Sequence, residues 1–302
     1  MIKGIFPALL TPFSHDDSID YKKMEEHIEF LISKKVHGLF LLGTTGEGML
    51  MTIDERKKVT KFVLDIVNDR IPTIVHIGEQ RLNDTITLAK HAENNKAYGI
   101  SSITPYFFPA TDEMIYKHYS TILDSISSDF PFYIYNNPKN ARNEVTYDTL
   151  ISLISNYSNI KGIKNSPNDF QQVIYLVDNL SENIDVMIGP EEFFYAGLCS
   201  GTSGNISGIA NVYPELYVKT FEYISNKDFI KAKRCQGLIN KATSILLNDI
   251  SYLKNGLEFR GLHSSRVRKP FLDISEIKKE NLFENLRELE WEINNLDEGI
   301  LG

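Results

Sequence analysis

Three short segments carry side chains suited to carbonyl chemistry, and each ends or follows a short apolar run. The first is Gly43-Thr44-Thr45-Gly46-Glu47, a turn whose amides and hydroxyls suit a carboxylate or a phosphate. The second is Tyr133-Ile134-Tyr135-Asn136-Asn137-Pro138, with Tyr135 at the end of the run. The third is Ile160-Lys161-Gly162-Ile163-Lys164-Asn165. Period-two alternation there puts Lys164 on one face with Ile160 and Gly162, and Lys161 on the other with Ile163. Each segment alone has an ordinary explanation. Short glycine motifs are weak signals, aromatics are enriched in strands, and a lysine at a strand end is usually solvated. Together they supply what Schiff-base chemistry on a 2-oxo acid requires: an anion clamp, a nucleophilic amine and a general acid/base.

These segments need a scaffold that brings the ends of separate strands to one rim. Apolar runs begin near Ile5, Leu39, Thr73, Ile100, Phe132, Ile160, Asp185 and Asn205, and amphipathic stretches separate them. Val59, Phe62, Val63, Ile66 and Val67 share one helical face, with Thr52 and Glu55 spaced as a capping box at its start. Met24, Ile28, Leu31 and Ile32 do the same one helix earlier. The alternation predicts an α/β fold, a (β/α)8 TIM barrel; an open doubly wound sheet is the alternative. Beyond Asn211 the strand-like runs stop and helical stretches follow, including 228–247 and 275–294. The expected division is a barrel over 1–211 and a helical C-terminal extension over 212–302. In such a barrel the chemistry sits at the C-terminal ends of the strands, where all three segments fall.

Composition narrows the classes. The 32 basic and 40 acidic residues give a net charge of −8, which disfavours nucleic acid or an anionic membrane as partner. Hydrophobic residues at 42% and charged residues at 24% exclude disordered and fibrous classes. Two cysteines, Cys199 and Cys235, are too few for a disulfide framework or a cysteine-rich zinc site. No metal is expected, and no segment approaches the run of about 18 apolar residues that spans a membrane. A cytoplasmic enzyme acting on small molecules is the expectation.

The order and spacing of Gly43-Thr44-Thr45-Gly46-Glu47, Thr104-Pro105-Tyr106, Tyr135-Asn136-Asn137-Pro138 and Gly162-Ile163-Lys164 resemble the signatures of the dihydrodipicolinate synthase and N-acetylneuraminate lyase family. The resemblance runs from Gly4 to about Pro270. It implies a TIM barrel with a helical extension, assembled as a homotetramer or homodimer, working on pyruvate and an aldehyde without metal or organic cofactor. It implies that Lys164 forms the imine, that Tyr135 shuttles protons, and that Thr44 and Thr45 hold the pyruvate carboxylate. Thr45 thereby counts with the catalytic group. Ile206, in Gly204-Asn205-Ile206-Ser207, falls where the family contacts pyruvate through the backbone.

The departures bear on the second substrate. Phe107 stands where many members carry a tyrosine that crosses a subunit interface to complete a proton relay, and phenylalanine transfers no proton. Asn140 stands where dihydrodipicolinate synthases carry an arginine for the carboxylate of aspartate semialdehyde. Arg142 is two residues away, a shift that does not preserve a bidentate contact. Gly189-Pro190-Glu191-Glu192 resembles the acidic pair with which neuraminate lyases bind sugar hydroxyls, although acidic residues also suit a helix start. Tyr106-Phe107-Phe108-Pro109 is similar to the 2-keto-3-deoxygluconate aldolases, and Gly208 replaces the serine usual in neuraminate lyases. The expected activity is a class I aldolase or lyase for a 2-keto-3-deoxy sugar acid, with Gly189, Glu191 and Glu192 on the substrate. Dihydrodipicolinate synthesis is the alternative enzyme, and a non-catalytic keto-acid-binding regulator the alternative of another class.

Overall fold

The computed structural model describes residues 2–296; the last six residues of the expected extension lie outside the described residues. Eight parallel strands alternate with helices: β1 (Gly4–Pro7), α1 (Tyr21–Ser33), β2 (Leu39–Leu41), α2 (Ile53–Val67), β3 (Thr73–His76), α3 (Leu82–Asn94), β4 (Gly99–Ile103), α4 (Asp112–Leu123), β5 (Phe132–Asn136), α5 (Pro138–Ala141), α6 (Tyr147–Asn156), β6 (Ile160–Asn165), α7 (Phe170–Asn179), β7 (Asp185–Ile188), α8 (Phe194–Cys199) and β8 (Gly204–Ser207). Four more helices complete the described chain: α9 (Pro214–Ser225), α10 (Phe229–Leu246), α11 (Ile250–Phe259) and α12 (Glu276–Asn294). The sheet runs β1-β8-β7-β6-β5-β4-β3-β2. A parallel bridge between Ala8 and Phe40 joins its two edges, so the strands close into the barrel.

Local chemistry explains the boundaries. The Thr52 hydroxyl accepts from the Glu55 amide while the Glu55 carboxylate accepts from the Thr52 amide, which satisfies two free donors at the start of α2. Asp228 and Ser275 cap α10 and α12 with their side chains. Val59, Val63 and Val67 of α2 and Met24, Ile28 and Leu31 of α1 are buried in the layer between sheet and helices. The barrel interior is a separate cluster that includes Phe6, Phe40, Ile74, Tyr133, Tyr135, Met187 and Ile206. A third cluster joins α9 to α12 to the β1 and β7 side, and Leu282, Leu286 and Leu289 of α12 close it.

One strand departs from simple alternation. Phe132 pairs with Ile160, but the next residue, Tyr133, pairs with Gly162, so Lys161 is an extra residue bulged out of β6. Its ammonium turns back to donate to the Ser158 carbonyl at 2.7 Å. Ile160 therefore joins Ile163 in the outer layer, whereas strict alternation sets it on the face of Lys164. Gly162 then abuts β7 and Tyr133: a Cβ there would stand 2.5 Å from the Asp185 carbonyl oxygen. The bulge and the glycine set the phase in which Lys164 reaches the barrel interior.

Candidate active site

Lys164 and Tyr135 are register partners on β6 and β5. Lys164 is 6% exposed and Tyr135 3%. The lysine Nζ lies over two aromatic rings that stand edge to face 6.0 Å apart, 4.1 Å from the Tyr135 centroid and 4.4 Å from that of Phe40. The Asn137 amide donates to the Tyr135 phenolic oxygen at 2.9 Å. Burial pushes the Tyr135 phenol up, but the neighbouring Lys164 charge and hydrogen bonds from Thr44, Asn137 and Lys164 outweigh it, leaving a net downward shift. A tyrosine so surrounded is suited to taking and returning protons.

The turn after β2 brings Thr44 and Thr45 to the same rim. Two non-glycine residues in left-handed backbone bracket it, Leu42 at φ 59° and Glu47 at φ 55°. Such conformations cost on the order of 1–3 kcal/mol each and persist only where surrounding contacts fix them. The Thr11 hydroxyl donates to the Gly46 carbonyl at 2.8 Å, and the Glu47 amide to the Thr44 carbonyl at 3.1 Å. The Asn140 amide donates to the Thr44 hydroxyl at 3.3 Å, joining this turn to α5. Thr45 points toward the end of β8: its hydroxyl is 3.5 Å from where a Cβ on Gly208 would stand. Ile206 is buried in the barrel interior, one residue before the end of β8.

His76, absent from the residues expected in the site, ends β3 beside this group. Its ring is 5.7 Å from that of Tyr135, edge to face. One ring nitrogen lies 3.2 Å from the Leu42 carbonyl and the other accepts from the Ile103 amide at 3.3 Å, which ties the ends of β2 and β4 together. Burial, then the charges of Arg56 and Lys164, push this imidazole far down, so it stays neutral. Arg56 donates to the carbonyls of His76 and Gly78 and to Glu79. A histidine after a run of branched apolar residues was the available signal.

The two glutamates after β7 part company. Glu191 is buried; one oxygen accepts from the Ser207 hydroxyl at 2.9 Å and the Gly208 amide at 3.2 Å, and the other from the Tyr217 hydroxyl at 2.6 Å. Expected on the substrate, Glu191 is instead consumed in fastening the end of β8 to α9. Burial pushes its carboxyl up to about 7, against the pull of the Tyr217 and Ser207 hydrogen bonds. Glu192 is exposed and is the acidic side chain of the pair left to meet a ligand. Gly189 packs on Ser166, whose hydroxyl oxygen would be 2.4 Å from a Cβ at that position.

The loop after β4 is open. Phe107, with φ 75°, is 64% exposed and Phe108 66%, their rings 4.9 Å apart and edge to face. Asn143 holds the loop from below, donating to the Pro105 and Phe108 carbonyls and accepting from the Ala110 amide. Arg142 is exposed. Among the described residues, no group of three or more His, Cys, Asp or Glu side chains is arranged to hold a metal ion, and no helix is long and apolar enough to cross a membrane.

An interior lysine against a tyrosine, under a threonine turn in a parallel barrel, sits in a chain with clear relatives among known proteins. Residues 1–289 match the Dihydrodipicolinate synthetase family. The 4-hydroxy-tetrahydrodipicolinate synthase of Methanocaldococcus jannaschii is 33% identical over 96% of this chain and 99% of its own. N-acetylneuraminate lyase 2 of Escherichia coli is 30% identical over 93% and 91%. Among solved structures, the Escherichia coli prophage protein YagE, in complex with pyruvate, superposes with a TM-score of 0.92 at 26% identity, over 95% of this chain and 98% of that one. With nearly its whole length matched and its barrel shared, this chain belongs to the dihydrodipicolinate synthetase family and is a carbon–carbon lyase of the class I aldolase type.

Proposed function

We propose that this enzyme cleaves, or reversibly forms, a 2-keto-3-deoxy sugar acid, releasing pyruvate and a hydroxyaldehyde, with Lys164 as the imine-forming residue. The observation that carries the chemistry is the buried Lys164–Tyr135 pair. Transfer of a proton from the Lys164 ammonium to Tyr135 in its phenolate form leaves a free amine, which attacks C2 of the 2-oxo acid. Tyr135 passes that proton to the C2 hydroxyl, which leaves as water and gives a protonated imine that draws electrons from the C3–C4 bond. Tyr135, having given up its proton, takes the C4 hydroxyl proton as that bond breaks, and the aldehyde departs. The electron pair rests in the enamine, C3 is reprotonated, and water hydrolyses the imine to pyruvate and Lys164. Thr44 and Thr45 hold the carboxylate so that the imine plane is fixed, with the backbone at Ile206 as a further contact; this is an orientation effect.

The substrate class rests on Asn140 and Glu192. Asn140 presents an amide bonded to Thr44 and no cation for a second carboxylate. Exposed Glu192 accepts from hydroxyls and repels anions. Gly189, expected on the substrate as well, packs against Ser166 two residues before Glu191. The Methanocaldococcus jannaschii synthase favours a second reading, condensation of pyruvate with aspartate semialdehyde. Retention of the buried Lys164–Tyr135 pair speaks against a non-catalytic regulator. We assign the enzyme to the cytoplasm as a homotetramer or homodimer, in which the exposed Phe107–Phe108 pair would find cover.

Condensation with pyruvate, compared between glyceraldehyde and aspartate semialdehyde, tests the substrate class. Missing or repulsive contacts of this kind cost about 1–3 kcal/mol each, so kcat/KM should favour glyceraldehyde by at least about tenfold. Faster consumption of aspartate semialdehyde overturns the sugar-acid reading in favour of the second one.

A further inference from the structure

The turn that carries Thr44 and Thr45 is anchored from a distant part of the chain. Glu47, 2% exposed, meets Lys254 of α11, 1% exposed, at 2.5 Å, across 207 positions of sequence. The same ammonium donates to the Arg266 carbonyl at 2.5 Å and lies 4.6 Å from the Phe13 ring centroid. The second Glu47 oxygen accepts from the Arg268 amide at 2.7 Å. The Arg268 guanidinium grips the chain just past the turn, at the Leu50 carbonyl (3.0 Å) and the Glu55 carboxylate (2.5 Å), and also donates to the Asp17 carbonyl at 2.8 Å.

A buried ion pair is a weak source of stability, because desolvation offsets its attraction and apolar residues of similar volume do as well. What it provides is direction. Glu47 donates its amide to the Thr44 carbonyl while its carboxylate is held at both oxygens by the segment 254–268. Its left-handed backbone, φ 55°, is thereby kept in place, and with it the orientation of the two hydroxyls before it. We propose that Glu47 and Lys254 are positioning residues that set the Thr44–Thr45 turn for the substrate carboxylate, so that the helical segment after β8 is part of the pyruvate site.

This rests on the reading that the two threonines hold that carboxylate, and Thr45→Val tests it separately. Pyruvate KM and kcat in the condensation, together with thermal midpoints, are measured for Thr45→Val, Lys254→Met, Lys254→Arg and the double variant Glu47→Gln/Lys254→Met. Lys254→Met leaves Glu47 buried without its counter-charge and should be the least stable; the double variant, with no lone charge, should regain much of that loss. Should Lys254→Met fail to fold, the double variant carries the test. In both, pyruvate KM should rise about tenfold while kcat at saturating pyruvate falls by less than about threefold, the mark of lost ground-state positioning. Lys254→Arg, which keeps charge and donors, should recover most of the affinity. A pair that only stabilises the fold predicts that KM returns to the wild-type value along with the midpoint in the double variant, and that result overturns the proposal. If Thr45→Val itself leaves pyruvate KM unchanged, the carboxylate reading fails first.

Discussion

The two sides of the barrel mouth are built differently. Around β2, β5 and β6 every group assigned to the chemistry is buried or fastened. Lys164 lies over the rings of Phe40 and Tyr135, Tyr135 accepts from Asn137, and the Thr44 turn is held by Thr11, Asn140 and the Glu47–Lys254 pair. Around the β4 loop and the end of β7 the side chains that face outward, Phe107, Phe108 and Glu192, are exposed. The fastened side is what imine chemistry needs, since orientation lowers a barrier only when it is set before the substrate arrives. The open side is where a second substrate can vary while the reaction stays the same.

Substitutions on the two sides should differ in size accordingly. Lys164→Arg should abolish turnover, by at least about 10³-fold, with the thermal midpoint nearly unchanged, because a guanidinium does not become a free amine. Tyr135→Phe should lower kcat by about 10²-fold or more and spare pyruvate affinity, the usual scale for loss of a general acid/base. Residual imine trapping in that variant would separate its proton transfer from imine formation.

On the open side, Glu192→Gln should raise the hydroxyaldehyde KM by about threefold to tenfold and leave pyruvate KM alone, a change of the size expected for one exposed hydrogen bond. Unchanged hydroxyaldehyde kinetics would remove Glu192 from the site. Phe107→Tyr should change the aldolase rate by less than about threefold. A large gain would mean that a proton relay through that loop limits the enzyme, and the contrast between the two sides would weaken.

A third region, beside the segment that follows β8, bears on stability against pH. His27 of α1 and His263 are buried with ring centroids 6.0 Å apart; one nitrogen of His27 lies 3.4 Å from the Asn211 carbonyl, while the other and both nitrogens of His263 have no hydrogen-bond partner among the described residues. Burial lowers His27 to about 3 and His263 to about 4. The unfolded chain therefore binds more protons than the folded one between about pH 6.5 and 4, so stability should fall as pH drops through that window, by on the order of a few kcal/mol for the pair. Thermal midpoints from pH 7 to 4 would show it, and His263→Phe should flatten the slope. An unchanged slope would assign the acid sensitivity to other groups.

Much of this molecule was legible in its sequence, because strands and helices announce themselves through neighbours. Each expected strand start lies within one residue of the observed one, and the Thr52–Glu55 capping box is present as spaced. The barrel, with the rim that collects Lys164, Tyr135 and the threonine turn, follows from that alternation. What escaped was decided by partners far along the chain. The bulge at Lys161 depends on pairing with β5 and is invisible to period-two counting. The inward turn of Glu191 depends on Tyr217 of α9 and Ser207 of β8, whereas adjacency in sequence makes it look equivalent to Glu192. The Glu47–Lys254 pair spans most of the chain, and Asn140 was legible only as a missing arginine until its bond to Thr44 was seen.

Everything at the barrel mouth turns on the reacting amine being the one buried against Tyr135. Incubation with pyruvate and borohydride, followed by peptide mass spectrometry, tests it most directly. The reduced three-carbon adduct should be found on the peptide bearing Lys164, and on no other lysine. An adduct on Lys161, or none at all in folded enzyme saturated with pyruvate, would contradict it.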